Sequence, residues 1–128
     1  MGNHVLIYDD EAEILQVSKI ILERHKYQVQ TRDCCENILE DIRAEKPGII
    51  LLDLHVPPMG GEHTLRLLKD GENTRDIPVI LFSGLDGLED ISIDLKADGY
   101  LKKPFGINEL LDTIKKYITA PLLCYLLL

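Results

Sequence analysis

The sequence predicts an α/β fold: a doubly wound, five-stranded parallel sheet with helices on both faces. Short apolar segments alternate five times with segments whose apolar residues recur at helical spacing, the order expected of strand–helix units with right-handed crossovers. The apolar segment 49–52 is unbroken rather than alternating, as expected for a strand that is buried on both faces. Pro and Gly residues flank it on both sides, so this strand is predicted to end at Asp53.

The first half of the chain supplies two further strands and two helices. Residues 5–8 form an apolar strand that ends in a run of carboxylates, and Asp10 is the predicted N-cap of the helix that follows. Residues 27–31 are predicted to form an edge strand, because polar residues alternate with Val29. Residues 37–45 form the second helix. The residues of the first helix that fall on one face are Ile14, Leu15, Ser18, Ile21 and Leu22.

The second half of the chain continues the alternation. Residues 62–70 are predicted to form a helix and residues 77–82 a buried strand. A short, poorly patterned helix is predicted over 88–95, followed by the last strand at 99–102. The final helix begins at Ile107. Its apolar stripe consists of Leu110, Leu111, Ile114 and Ile118.

Composition indicates one cytoplasmic domain, predicted over 1–119. The 128 residues include 22 acidic and 14 basic side chains, for a formal charge of -8, which disfavours nucleic acid or an anionic membrane as a partner. The three cysteines, at positions 34, 35 and 124, lack metal-ligand spacing and are expected to be reduced thiols. The first residues lack the basic region and apolar length of a signal peptide.

The segment 120–128 is an apolar tail that differs from the rest of the chain. Its seven apolar residues after Pro121 are too few to cross a bilayer, and Pro121 is expected to end the last helix. We expect the tail to pack on the domain or on a partner, including a second copy of the chain. The alternatives are the beginning of a linker to further sequence and a cloning remnant.

Polar side chains follow the predicted strands at the point where each one ends. Asp9 and Asp10 follow the first strand, and Asp53 ends the central one. Ser83 and Lys103 follow the two later strands. Because the carboxyl ends of parallel strands meet at one edge, these side chains are expected to lie together. Three carboxylates need a counter-charge, and oxygen ligands of this number suit Mg²⁺.

Together these groups predict a site that receives a phosphoryl group on Asp53, since phosphoryl transfer depends on positioning and charge neutralisation. Taken singly, each residue has a simpler explanation. Asp9 and Asp10 could cap a helix, Ser83 could belong to a turn, and Lys103 could be a solvated loop lysine. Their joint position at strand ends favours the functional interpretation.

The chain resembles the receiver domain of two-component response regulators over nearly its whole length. The resemblance rests on the acidic pair Asp9 and Asp10, residues 52–57 (LDLHVP) with the glycines at 60 and 61, Ser83, and residues 99–105 (GYLKKPF). It implies a flavodoxin-like sheet in the strand order 2-1-3-4-5. It also implies a regulatory domain rather than an enzyme, one that assists its own phosphotransfer and dephosphorylation.

The resemblance further implies the roles of the residues at the site. Asp53 would accept the phosphoryl group from a histidine kinase or a phosphotransfer protein, and Lys103 would pair with the phosphate. Mg²⁺ would be held by Asp10, Asp53 and the backbone carbonyl of His55, with Asp9 assisting directly or through water. The output would go to an effector domain or target protein, and a homodimer remains open.

The implied switch consists of Ser83 and Tyr100. The hydroxyl of Ser83 would move to the phosphate and Tyr100 would turn inward, which changes the face formed by the fourth helix, the fifth strand and the fifth helix. Two departures from the family pattern affect this region. Gly84 stands where an alanine is usual, and Lys96 lies where a glycine usually ends the fourth helix. We therefore expect an irregular fourth helix, with Lys96 left-handed or the helix ending differently.

Two alternative functions belong to other classes. A pseudo-receiver would mediate only protein contacts, but the residues expected of an active receiver are intact. A phosphatase of the dehalogenase type also uses an aspartate at a strand end with Mg²⁺, but it needs a second acid two residues later. That position is His55 in this chain.

Overall fold

The sheet contains five parallel strands in the order β2-β1-β3-β4-β5, which confirms the predicted fold class and strand order. The structure, a computed structural model, describes residues 3–118 of the 128 in the chain. The strands are β1 (His4–Tyr8), β2 (Gln28–Arg32), β3 (Ile49–Asp53), β4 (Val79–Ser83) and β5 (Gly99–Lys102).

Five helices cover the two faces of this sheet. They are α1 (Ala12–Arg24), α2 (Ile38–Glu45), α3 (Gly60–Asp70), α4 (Leu88–Asp94) and α5 (Ile107–Lys115). The buried apolar side chains of α1 and α5 join one hydrophobic cluster, and those of α2, α3 and α4 join the other. The layers are therefore α1 and α5, the sheet, and the remaining three helices, as a doubly wound fold requires.

The burial of β3 explains its unbroken apolar sequence. All five of its residues are buried. Ile49 and Leu51 pack in the cluster with α1 and α5, whereas Ile50 and Leu52 pack in the cluster on the opposite face. Successive side chains of a strand point to opposite faces. Both the odd- and the even-numbered positions must therefore be apolar when both faces are covered. The edge position predicted for the second strand is also confirmed.

The beginning of α1 corrects the prediction that Asp10 is its N-cap. The helix begins at Ala12, its N-cap is Glu11, and the Glu11 side chain makes no capping hydrogen bond. Instead, the backbone N–H of Glu11 donates to Asp9 Oδ1 at 2.8 Å. Asp9 is buried beneath the turn and accepts this N–H. The first helical residue is therefore Ala12, whereas a cap at Asp10 would make it Glu11.

Two other element starts differ by two residues from the sequence-based ones. The third helix begins at Gly60, two residues before the predicted start at 62. The fourth strand begins at Val79 rather than at 77, because Pro78 has no N–H to contribute to the ladder. The carbonyl of Pro78 still accepts the Ile50 N–H at 2.9 Å.

Three helices are followed by a lysine with a left-handed backbone. The φ angles are 73° at Lys26, 48° at Lys46 and 61° at Lys96. The sequence allowed this conformation at Lys96, and α4 is short, with seven residues. A side chain with a Cβ is disfavoured there, since a left-handed conformation costs roughly 1–2 kcal/mol per non-glycine residue.

We expect Lys96→Gly to raise the free energy of unfolding by about 0.5–1 kcal/mol, because glycine adopts the left-handed region without strain. Urea denaturation of the full chain measures this change. The matched control is Lys116→Gly, because Lys116 is also an exposed lysine at a helix C-terminus but has a φ of -63°. That substitution should lower the free energy of unfolding. Stabilisation of both variants would contradict the argument from φ.

The apolar tail at 120–128, the predicted helix end at Pro121 and the domain boundary at 119 lie outside the described residues. They stay predictions. Within residues 3–118, no helix has the length and apolar character that a membrane span requires.

Candidate functional site

The carboxyl ends of four strands bring the predicted site residues to one edge of the sheet. Asp9 follows β1, Asp53 ends β3, Ser83 ends β4 and Lys103 follows β5. A cavity of about 420 Å³ opens above Asp53, and His55 contributes to its wall. The other residues that line this cavity are Asp10, Glu11, Ser83, Gly84, Leu85 and Lys103.

The ammonium group of Lys103 lies among three carboxylates. Its Nζ is 2.6 Å from Asp9 Oδ2, 3.0 Å from Glu11 Oε1 and 3.6 Å from Asp53 Oδ1. The side chain is only 11% exposed, and Nζ also lies 5.0 Å from the centre of the Phe82 ring. These contacts hold the positive charge beside Asp53, where the sequence predicted it.

Glu11 is a site residue that the sequence-based set of ligands does not include. Its carboxylate accepts a hydrogen bond from Lys103 Nζ at 3.0 Å, across 92 positions of sequence. The only signal in the sequence is that Glu11 is the third carboxylate in a row after β1. A helix-capping explanation fits that run equally well, so the contact with Lys103 emerges only from the fold.

Asp9, Asp10 and Asp53 form a cluster that fits a divalent cation. Each offers one carboxylate oxygen, and these oxygens lie within 4.8 Å of one another. Asp9 Oδ2 is buried and lies 2.6 Å from Lys103 Nζ, so the ammonium group is its partner in the described structure. A carboxylate oxygen has two lone pairs and can bind a metal ion beside such a contact. Oxygen ligands in this number suit Mg²⁺, which retains several waters.

Electrostatics within the cluster shift the ionisation of its members. Burial and then the charge of Asp9 raise the pKa of Asp53 to about 6, with Lys103 opposing the shift and Asp10 adding to it. Burial also raises the pKa of Asp9, against the effect of Lys103. Burial lowers the pKa of Lys103, but its hydrogen bonds to carboxylates outweigh this effect and the pKa is raised. Burial is thus the largest cause of the raised pKa values of Asp53 and Asp9, and the ammonium group of Lys103 offsets it only in part.

Residues 5–115 match the family model described as the response regulator receiver domain. The chain belongs to this family. The receiver domain is 36% identical over 118 residues to the phosphate regulon transcriptional regulatory protein PhoB of Pseudomonas aeruginosa, a match that covers 90% of the chain and 51% of PhoB. It is 32% identical over 121 residues to the protein PilG of the same organism, covering 93% and 90% of the two chains. The chain therefore spans about half the length of its PhoB relatives.

Solved structures agree with this assignment at the level of the fold. The chemotaxis response regulator CheY4 of Vibrio cholerae superposes with a TM-score of 0.82 at 22% identity, over 92% of this chain and 100% of that one. The signal receiver domain of a signal transduction histidine kinase from Syntrophus aciditrophicus gives a TM-score of 0.81 at 28% identity, over 91% and 89%. The receiver domain thus has the flavodoxin-like architecture that its sequence predicted.

The two predicted switch residues occupy different environments in the receiver domain. Ser83 is buried at the site, where its Oγ accepts the Leu85 N–H at 3.2 Å and its carbonyl accepts the Lys103 N–H at 2.8 Å. Tyr100 lies away from the cavity with 41% of its surface exposed. Its hydroxyl donates to Glu89 Oε2 at 2.9 Å. The fold therefore brings Ser83 to the acidic cluster but leaves Tyr100 outside it.

Proposed function

We propose that this receiver domain accepts a phosphoryl group on Asp53 from the phosphohistidine of a sensor histidine kinase or a phosphotransfer protein in the cytoplasm. The observation that carries the proposal is the position of Asp53. This carboxylate is buried at a strand end, 3.6 Å from the ammonium of Lys103 and beside two further carboxylates. A nucleophilic oxygen thus lies beside an ammonium group that can pair with a phosphoryl group and two carboxylates that can hold a cation.

In the transfer, an ionised carboxylate oxygen of Asp53 attacks the phosphorus atom. The bond from phosphorus to the imidazole nitrogen breaks, and the donor histidine leaves with the electron pair of that bond. Lys103 is placed to contact the phosphoryl oxygens, on which negative charge is concentrated. With its pKa raised to about 6, Asp53 is mostly ionised at neutral pH and therefore nucleophilic.

Asp9, Asp10 and Asp53 would hold Mg²⁺, with the backbone carbonyl of His55 as a further ligand. The short distances between the carboxylate oxygens and the excess of carboxylates over the single ammonium group of Lys103 support this assignment. When bound, the cation supplies positive charge that offsets both the carboxylates and the incoming phosphoryl group.

The signal passes from the phosphoryl group to the surface through Ser83. A phosphoryl group adds nearly two negative charges and three acceptor oxygens. The Ser83 hydroxyl, which accepts the Leu85 N–H in this structure, would form a stronger hydrogen bond by donating to a phosphoryl oxygen. We propose that Tyr100 then turns inward from Glu89, which alters the face formed by α4, β5 and α5. An effector domain or a separate target protein would bind this face.

Incubation with a small-molecule phosphodonor and Mg²⁺, followed by intact mass measurement, tests the proposal. The expected result is a gain of one phosphoryl group by the full chain and no gain by Asp53→Asn. Failure of the wild-type chain to gain mass would contradict the proposal and favour a pseudo-receiver. Continuous turnover of unrelated phosphate esters would favour the dehalogenase-type phosphatase instead.

A further inference from the structure

We propose that Glu89 is a positioning residue for the switch, because its carboxylate holds Tyr100 in the outward orientation. The strength of this contact would set the fraction of unphosphorylated protein that is already in the active conformation. The inference deepens the proposed function and rests on it, since it assumes that a phosphoryl group on Asp53 draws Tyr100 inward.

The contact joins α4 to β5, two of the elements that form the face changed by the proposed switch. Glu89 lies in the first turn of α4, and Tyr100 lies on β5 at the edge of the sheet. The hydrogen bond of 2.9 Å from the Tyr100 hydroxyl to Glu89 Oε2 has a charged acceptor, which strengthens it relative to a neutral one. The same contact raises the pKa of the Tyr100 hydroxyl. A Tyr100 ring that turns inward loses this bond, so the bond stabilises only the outward state.

A second contact joins β5 to the loop that precedes α4. Lys102 is two residues after Tyr100 and therefore shares its side of β5. Its Nζ donates to Asp86 Oδ1 at 2.9 Å, in the loop that connects Ser83 to α4. Because Asp86 is fully exposed, this ion pair is expected to contribute less than the bond from Tyr100.

The helix α4 is short and has few buried residues. The helix has seven residues, of which Leu88 and Ser92 are buried, and its N-terminus has no side-chain cap. It lies between Gly87, which has a φ of 74°, and the left-handed Lys96. A helix this short derives its position from tertiary contacts rather than from its own stability. The bond to Tyr100 therefore adds a polar contact to the packing of Leu88, Ile91 and Leu95, and these contacts together hold α4 in place.

Titration of the full chain with beryllium fluoride in the presence of Mg²⁺ tests the inference, because beryllium fluoride mimics a phosphoryl group on a carboxylate. Glu89→Ala should bind this probe about threefold more tightly, since removal of a bond specific to the outward state shifts the population inward. Glu89→Gln, which keeps a neutral acceptor, should give a smaller increase. A structural loss in α4 that does not act through the Tyr100 hydroxyl would change the affinity by the same factor when that hydroxyl is absent.

The matched control is Asp90→Ala, which removes the neighbouring exposed acid of α4 and should leave the affinity unchanged. A double-mutant cycle gives the sharpest result. In a Tyr100→Phe background, where the hydroxyl is absent, Glu89→Ala should have no effect. An unchanged or weaker affinity in Glu89→Ala, or the same gain in both backgrounds, would overturn the inference alone. No binding of the probe by the wild-type chain would overturn the proposed function and the inference with it.

Discussion

Replacement of Lys103 with methionine is expected to lower the free energy of unfolding at about pH 7, without Mg²⁺, by about 3 kcal/mol. The Asp9 carboxylate has no exposed surface and lies 2.6 Å from Lys103 Nζ. Without the ammonium group, Asp9 is a buried charge that faces Asp53 with nothing to compensate the repulsion. Removal of one partner of a buried ion pair leaves this full desolvation cost in the folded state.

Urea denaturation measures this loss, and Lys102→Met provides the matched control. Lys102 is the adjacent lysine, but its partner Asp86 is fully exposed, so the control should change the free energy of unfolding far less than Lys103→Met does. Saturation with Mg²⁺ should restore part of the stability of Lys103→Met, because the cation binds the folded carboxylates. Equal losses in the two variants would show that Lys103 contributes no more than a surface charge.

Asp53→Asn is expected to raise the free energy of unfolding by about 2–3 kcal/mol at about pH 7 in the absence of Mg²⁺. Burial and the charge of Asp9 raise the pKa of Asp53 from 3.8 to about 6. The folded state therefore binds a proton more tightly than the unfolded state. The contribution of Asp53 to the free energy of unfolding is greatest below the unfolded-state pKa. It falls as the pH rises through the interval from 3.8 to about 6. The amide side chain of Asp53→Asn carries no charge, so the free energy of unfolding of this variant does not fall over that interval.

The same measurement at about pH 4 separates electrostatics from packing. There the wild-type carboxyl is protonated in the folded state, so the advantage of Asp53→Asn should nearly disappear. Addition of Mg²⁺ at neutral pH should also reduce it, by stabilising the wild-type cluster. Asp112→Asn, which neutralises an exposed acid of α5, should change stability little at either pH. An advantage of Asp53→Asn that persists at about pH 4 would contradict the electrostatic explanation.

The fold was predictable because local and global signals agree at the central strands. The unbroken apolar sequences of β3 and β4 match strands that are buried on both faces. In a parallel sheet, polar residues directly after such strands must meet at one edge. That rule alone placed Asp9, Asp53 and Lys103 together, and their distances confirm it.

The unpredicted features depend on contacts between distant parts of the chain. The start of α1 is set by the burial of Asp9, which no periodicity reveals. The contact of Glu11 with Lys103 joins the first and last loops of the site. The bond between Glu89 and Tyr100 depends on how far α4 lies from β5. The sequence predicted that the region of α4 is irregular, but it does not determine the distance between α4 and β5.

The central claim is that Asp53 is the residue that receives the phosphoryl group. Reduction with borohydride, which converts the acyl phosphate of an aspartate to an alcohol, followed by peptide mapping, tests it most directly. The expected result is reduction at position 53 alone in protein treated with phosphodonor and Mg²⁺, and none in protein left untreated. Reduction at Asp9 or Asp10, or at no residue of a chain that has gained the phosphoryl mass, would contradict the claim.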